Sequence, residues 1–385
     1  MTKNRVLVGL LACVFAVAVL AIPQIHTYSS KVYGVSEYYS TGKAAIILDA
    51  VSKRVFYEKN ADTQLPMAST TKIVTAITVI DNCINLDEEV RVDDKSIGIE
   101  GTSIYLEKGE VLTVRELLYG LMLRSGNDAS VALAYHIAGN VPDFCALMKQ
   151  TAIKAGASDT VGFKNPHGLD ADGHHVSARD LALITAYALD NPSFKEIVST
   201  KNIKIGATDS KIRYLANKNR LLSSLEGCIG VKTGFTSKAG RCLVSAAERD
   251  DFRLVSVVFN CGPMFEESSA LIENVYKNYK RVEILEPYSY VSSVDVTNSD
   301  NSKVKLYTKN GFYYPLTEPE FTNLNYSYSL PTEMEAPIDK DIEVGSVDIY
   351  LGKQLLFSEN VYTMEEVEAT RIKDKIKDIL DNWSA

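Results

Sequence analysis

The residues best placed to do chemistry lie in Pro66-Met67-Ala68-Ser69-Thr70-Thr71-Lys72. Pro66 suits the entry to a helix and cannot sit inside one. Ile73, Val74, Ala76, Ile77, Val79 and Ile80 follow at helical spacing, ending near Asp81-Asn82. Ser69 is therefore expected in a first helical turn. Residues three apart share a helix face, which puts the Lys72 amine within reach of the Ser69 hydroxyl. The positive end of the helix dipole favours negative charge developing at Ser69 and disfavours a charged Lys72. A serine beside a lysine pushed toward its neutral form is a nucleophile that needs no histidine. Taken alone, the pattern also fits a helix start whose serine caps the first turn and whose lysine is solvated.

Two further segments decide between those readings. Ser125-Gly126-Asn127 follows a helix-like run, and Lys232-Thr233-Gly234 ends a strand-like one. Acyl transfer needs a nucleophile, a proton shuttle, oxyanion donors and a clamp for the substrate. Ser69 is the nucleophile. Lys72 serves as base only if its pKa is lowered from about 10.4, and a second cation, Lys232, together with burial lowers it. Ser125 can relay a proton between Lys72 and a leaving amine, and Asn127 can hold a substrate amide. Gly234 lets an extended peptide lie against the strand edge. Ser-x-x-Lys, a Ser-x-Asn element and Lys-Thr-Gly, in this order, mark active-site serine enzymes acting on peptidoglycan peptides and β-lactams. The middle element here reads Ser-Gly-Asn.

The elements that must position these groups are legible in outline. Ala44–Ala50 and Arg54–Tyr57 read as a hairpin around Val51-Ser52-Lys53. Thr113 with Glu116 forms a capping box for a helix through Leu123, with Leu117, Leu118, Leu121 and Met122 apolar. That helix stops at Arg124, and Asp128 begins another through Ile137, so Ser125 and Asn127 fall on a tight connection facing a cleft. Asn165-Pro166-His167-Gly168-Leu169 is a turn-rich loop in which His167 is read as a structuring residue. Ser177 with Asp180 caps a helix through Leu189. Cys228–Gly234, Cys242–Glu248 and Arg253–Asn260 read as strands, and Phe265–Lys280 as a helix. The implied class is α+β: an antiparallel sheet flanked by helices. From Val282 to Thr363, short alternating runs of Tyr, Val and Thr with turn signals predict a small all-β domain. Met364–Trp383 carries apolar residues at amphipathic spacing and is expected to be a helix that either packs on the protein or touches a membrane surface.

A chain of 385 residues accommodates two domains, and its net charge of −8, without a basic stripe, argues against nucleic-acid binding. Residues 1–30 read as an export signal: Lys3 and Arg5 precede an uncharged run from Val6 to Ile22, with cleavage expected after Ala18 or Ala21. An uncleaved anchor is the rival reading. Either one puts the remainder, residues 31–281 and beyond, outside the cytoplasm. Cys83, Cys145, Cys228, Cys242 and Cys261 show no paired spacing and are expected to be small core residues rather than disulfides. His174-His175 lacks companions at ligand spacing, so neither a metal nor another cofactor is expected.

The chain resembles the serine-type D-alanyl-D-alanine carboxypeptidases, the low-molecular-mass penicillin-binding proteins. Met67–Lys72, Leu118–Leu123, Ser125–Ala129, Asn165–Leu169, Ser177–Asp180, Asn217–Leu222 and Val231–Thr236 carry the likeness. The resemblance implies a penicillin-binding/serine β-lactamase-like transpeptidase domain with a trailing β-rich domain. It also implies removal of the terminal D-Ala from peptidoglycan stem pentapeptides, and acylation of Ser69 by β-lactam antibiotics. By the same implication Lys72 is the acylation base and Ser125 the relay, with Asn127 and Lys232 supporting. The backbone N–H groups of Ser69 and Phe235 would form the oxyanion hole, and Thr233 would bind the substrate carboxylate. Phe235 stands where some members have His. A serine β-lactamase is disfavoured by the Ser-Gly-Asn element, the extra β domain and the lack of a deacylating Glu before the last strand. A non-catalytic wall-binding or β-lactam-sensing protein would have no need of a nucleophile–base pair.

Overall fold

The computed structural model describes residues 39–206, 211–370, 376 and 383; the export signal expected at residues 1–30 lies outside them. In chain order the elements begin with β1 (Ala44–Asp49), β2 (Val55–Lys59), a 3₁₀ turn (Ala68–Thr70), α1 (Thr71–Asn82), β3 (Glu89–Arg91) and β4 (Val111–Thr113). Then come α2 (Val114–Leu123), α3 (Asn127–Ala138), α4 (Val141–Lys154), α5 (Ala178–Leu189), α6 (Pro192–Ser199), β5 (Asn202–Ile205) and β6 (Arg213–Ala216). The first domain closes with α7 (Leu221–Ser224), β7 (Cys228–Thr236), β8 (Gly240–Arg249), β9 (Phe252–Phe259) and α8 (Met264–Asn278).

Its sheet is antiparallel in the order β2-β1-β9-β8-β7, so the Lys232-bearing strand lies at an edge. Every residue of β1 is buried. Ile46 and Leu48 join the main helical core with Val244, Ala246, Val255 and Val257. Ile47 faces the other way, with Leu243, Leu254 and Val258, onto Leu271 and Ile272 of α8. A sheet covered on both faces needs continuous apolar runs, which is why Ala44–Leu48 does not alternate. Helix α1 is buried from Thr71 through Ile80. A helix enclosed on all sides places Lys72 in the interior with the aliphatic residues around it. The hairpin, the capping box and the antiparallel helix-flanked sheet agree with the sequence reading.

The second domain holds β10 (Lys280–Leu285), β11 (Tyr290–Thr297), β12 (Lys303–Thr308), β13 (Phe312–Leu316), a short α9 (Glu318–Phe321), β14 (Leu324–Ser329), β15 (Glu333–Glu335), β16 (Glu343–Leu351) and β17 (Gln354–Thr363). Six of these strands form one sheet over a core of Val294, Val304, Leu306, Val347 and Val361. Arg54 ties the two domains together. It pairs with Glu320, donates to the Pro315 carbonyl at 2.6 Å and lies over the Tyr279 ring at 5.0 Å.

Two expectations need correction. Helix α3 starts at Asn127, one residue early. Residues 364–370 are not helical: Val367 forms a bridge with Ile338 and is buried in the β-domain core, a pairing that outweighs the local periodicity. Of the rest of that segment, the described residues Ile376 and Trp383 are helical and exposed. The five described cysteines are unbridged; Cys145, Cys242 and Cys261 are buried, whereas Cys83 and Cys228 are only partly so. No helix among the described residues is long and apolar enough to cross a membrane.

Candidate active site

Ser69 sits in the 3₁₀ turn that leads into α1, half-buried, and its side chain caps no helix. Lys72, fully buried, donates to Ser69 Oγ at 3.1 Å, to Asn127 Oδ1 at 2.8 Å and to the carbonyl of His167. Those acceptors favour the charged amine. Burial opposes it and dominates, and the neighbouring charges of Lys232 and then Lys218 act in the same direction, while Asp128 partly offsets them. The pKa of Lys72 is lowered well below its ordinary value as a result. An amine so placed, once neutral, can accept the Ser69 proton through the same contact it now donates.

Ser125 has a left-handed backbone, φ 67°, and is 4 % exposed. That conformation reverses the chain between α2 and α3, with Gly126 N–H donating to the Gly120 carbonyl at 3.1 Å. The turn is fixed from outside by Asp128, whose carboxylate accepts from Ser103 Oγ at 2.6 Å and from the Ile104 and Leu106 N–H groups at 3.1 Å. Asn127 is engaged at both ends: Oδ1 accepts from Lys72, and Nδ2 donates to the Glu100 carbonyl. The sequence pointed Asn127 at a substrate amide; in the folded chain its amide bridges the Lys72 amine and the Glu100 carbonyl. Ser125 lies on this turn, and its hydroxyl is not among the acceptors of Lys72.

The third segment is edge strand β7. Lys232 is buried, donates to the Thr233 carbonyl at 2.9 Å and has a pKa pushed down to about 7, by burial and then by Lys218. Thr233 is partly exposed and Phe235 is 66 % exposed at the end of the strand. A Cβ on Gly234 would lie 3.0 Å from Ser69 N, so this glycine permits β7 to run against the nucleophile turn. Thr236 Oγ1 donates to Asp170 at 3.0 Å, joining the strand to the loop that supplies the His167 carbonyl.

Sequence reasoning missed several contributors. The carbonyls of His167 and Glu100 are invisible in side-chain patterns, although Asn165–Leu169 stood out as turn-rich. Lys218 is a cation within electrostatic reach of both site lysines, and its own pKa is lowered by burial and then by Arg124. Gly168 is needed because a Cβ there would lie 2.0 Å from the Ala68 carbonyl.

Residues 31–262 match the family described as D-alanyl-D-alanine carboxypeptidase, and residues 279–369 match the C-terminal domain of penicillin-binding protein 5. The chain is 34% identical to D-alanyl-D-alanine carboxypeptidase DacC of Escherichia coli, over 85% of this chain and 84% of that one. It is 28% identical to DacF of Bacillus subtilis, over 91% and 92%. The solved structure of penicillin binding protein 5 from Haemophilus influenzae superposes with a TM-score of 0.73 at 28% identity, covering 87% of this chain and all of that one. With nucleophile, amine and edge strand assembled in one place, the chain belongs to the serine-type D-alanyl-D-alanine carboxypeptidase family, as a catalytic domain followed by an all-β domain.

Proposed function

We propose that the protein removes the terminal D-Ala from peptidoglycan stem pentapeptides through an acyl-enzyme on Ser69. The supporting observation is the buried Lys72 amine 3.1 Å from Ser69 Oγ. Substrate adds as an extended segment along the free edge of β7, with Thr233 and Lys232 drawing its carboxylate. Lys72, neutral, takes the Ser69 proton as Oγ attacks the D-Ala-D-Ala carbonyl. The backbone N–H groups of Ser69 and Phe235 hold the oxyanion. Collapse of the tetrahedral intermediate breaks the C–N bond; Ser125 relays a proton to the leaving amine, and D-Ala departs. Water then attacks the ester, Lys72 assists as base, and Ser69 is regenerated. A β-lactam enters the same first step, and its tethered leaving group stays on the acyl-enzyme. The basic, apolar leader at residues 1–30 supports export to the extracytoplasmic face of the cell membrane or the cell wall. Peripheral membrane contact through the C-terminal segment belongs to the same reading.

Purified protein should release D-Ala from a pentapeptide mimic and gain one penicilloyl mass on Ser69. An adduct that survives Ser69→Ala would rule out the assignment. Fast release of penicilloyl would indicate a β-lactamase instead.

A further inference from the structure

His174 lies outside the three motifs, yet it is 5 % exposed and ends a hydrogen-bond chain that reaches the nucleophile. Its Nδ1 accepts from the backbone N–H of Lys164 at 3.0 Å. A backbone N–H can only donate, so Nδ1 carries no proton and the neutral ring holds its hydrogen on Nε2. Nε2 is 2.9 Å from Thr71 Oγ1, and Thr71 Oγ1 donates to the Ala68 carbonyl at 2.8 Å. Each direction is forced: the carbonyl cannot donate, so the hydroxyl gives it a proton and accepts from the ring. Burial pushes the His174 pKa down to about 4, with His175 and Lys72 adding to the effect, consistent with a neutral ring.

The far end of this chain matters because the Ala68 carbonyl and the Ser69 N–H belong to one peptide unit. A trans peptide is planar, so fixing where the carbonyl points fixes where the N–H points, on the opposite side. Ala68 has φ 49°, a left-handed conformation that a non-glycine residue keeps only when its surroundings hold it. Donation into the carbonyl also polarises the peptide and strengthens its N–H as a donor. On the other side of this peptide, Ser69 N is the nearest atom to the missing Cβ of Gly234.

We infer that His174 is a positioning residue for acyl transfer: through Thr71 it orients and polarises the Ala68–Ser69 peptide, whose N–H receives the developing oxyanion. This rests on the proposed Ser69 acyl-enzyme. The effect belongs to the transition state, so it appears in the acylation rate constant and not in the dissociation constant of the encounter complex.

The test is pre-steady-state acylation by a fluorescent penicillin on the full chain, with thermal melts as the folding control. Removing an oxyanion donor outright costs about 10²–10³-fold, so loosening one should cost at least about tenfold. Thr71→Val keeps the side-chain shape and removes the hydroxyl; Thr71→Ser keeps the hydroxyl. Thr71→Val should lose about tenfold in the acylation constant at unchanged dissociation constant, and Thr71→Ser should stay within about threefold of wild type. His174→Ala should match Thr71→Val, and the double variant should be no slower than either single one, because both cut the same chain. Thr71→Val acylating at the wild-type rate, or Thr71→Ser failing equally, would overturn the inference. If His174→Ala does not fold, the Thr71 pair decides. Wild-type protein that takes no label at all refutes the parent reading instead.

Discussion

Replacing Gly234 by alanine should slow acylation of Ser69 about tenfold, because the new methyl enters the contact between β7 and the nucleophile turn. The backbone at 234 is outside the left-handed region, so conformational strain is not the cause. The added Cβ would meet Ser69 N at 3.0 Å, Ala68 Cβ at 3.1 Å and the Met67 carbonyl oxygen at 3.1 Å. Comfortable separations are about 3.5–4.0 Å, so the strand and the turn must part by roughly 0.5 Å. None of those neighbours is a flexible side-chain end that can swing aside. If a 1 Å misplacement costs about 10²-fold, half of it costs about tenfold, or about 1.4 kcal/mol in the barrier. Overpacking should also lower stability by about 1–3 kcal/mol. Single-turnover labelling with a fluorescent penicillin separates the acylation constant from initial binding, and urea unfolding reports the stability loss. A folded Gly234→Ala protein that acylates within twofold of wild type would refute the claim that this contact sets the position of the Ser69 N–H.

Three other outcomes are expected. Lys218→Gln removes a cation that lowers the pKa of both Lys72 and Lys232; both values then rise, and the acid limb of the acylation pH profile moves to higher pH. An unmoved limb would show that Lys218 does not govern the base. Half-buried His167 and buried His174 have pKa values near 4, against about 6.5 unfolded. Between those values the unfolded chain binds more protons, so stability rises with pH there and falls on acidification from pH 6.5 toward 4. The urea midpoint, compared with that of His174→Gln, should show it; parallel profiles would contradict a buried neutral ring. Arg54→Ala strands Glu320 and strips the contacts with Pro315 and the Tyr279 ring. It should cost about 3 kcal/mol, turning one calorimetric transition into two while penicillin acylation stays near wild type. A single unshifted transition would place the domain coupling elsewhere.

The candidate site was legible in the sequence because it consists of side-chain types at short spacing: Ser69 with Lys72 across one helical turn, Ser125 with Asn127 at a helix break, Lys232 before Thr233 and Gly234. The capping box at Thr113 and the hairpin after Ala44 were legible for the same reason, since local hydrogen bonds and turn residues determine them. Where local and long-range forces competed, the local signal lost. Met364–Thr370 has helical spacing, but Val367 gains more by pairing with Ile338 and filling the β-domain core.

What the linear order could not contain is the set of distances between remote segments. The carbonyls of His167 and Glu100, the cation at Lys218 and the chain from His174 through Thr71 to Ala68 exist only once α1 is enclosed. Burial then changes the state of ordinary groups: a lysine loses its water and with it much of its preference for charge, and a histidine settles on one tautomer. Residue types and short spacings thus specified which side chains are candidates for the chemistry. Packing decided their protonation and aim, because desolvation and peptide orientation depend on neighbours that only the folded chain supplies.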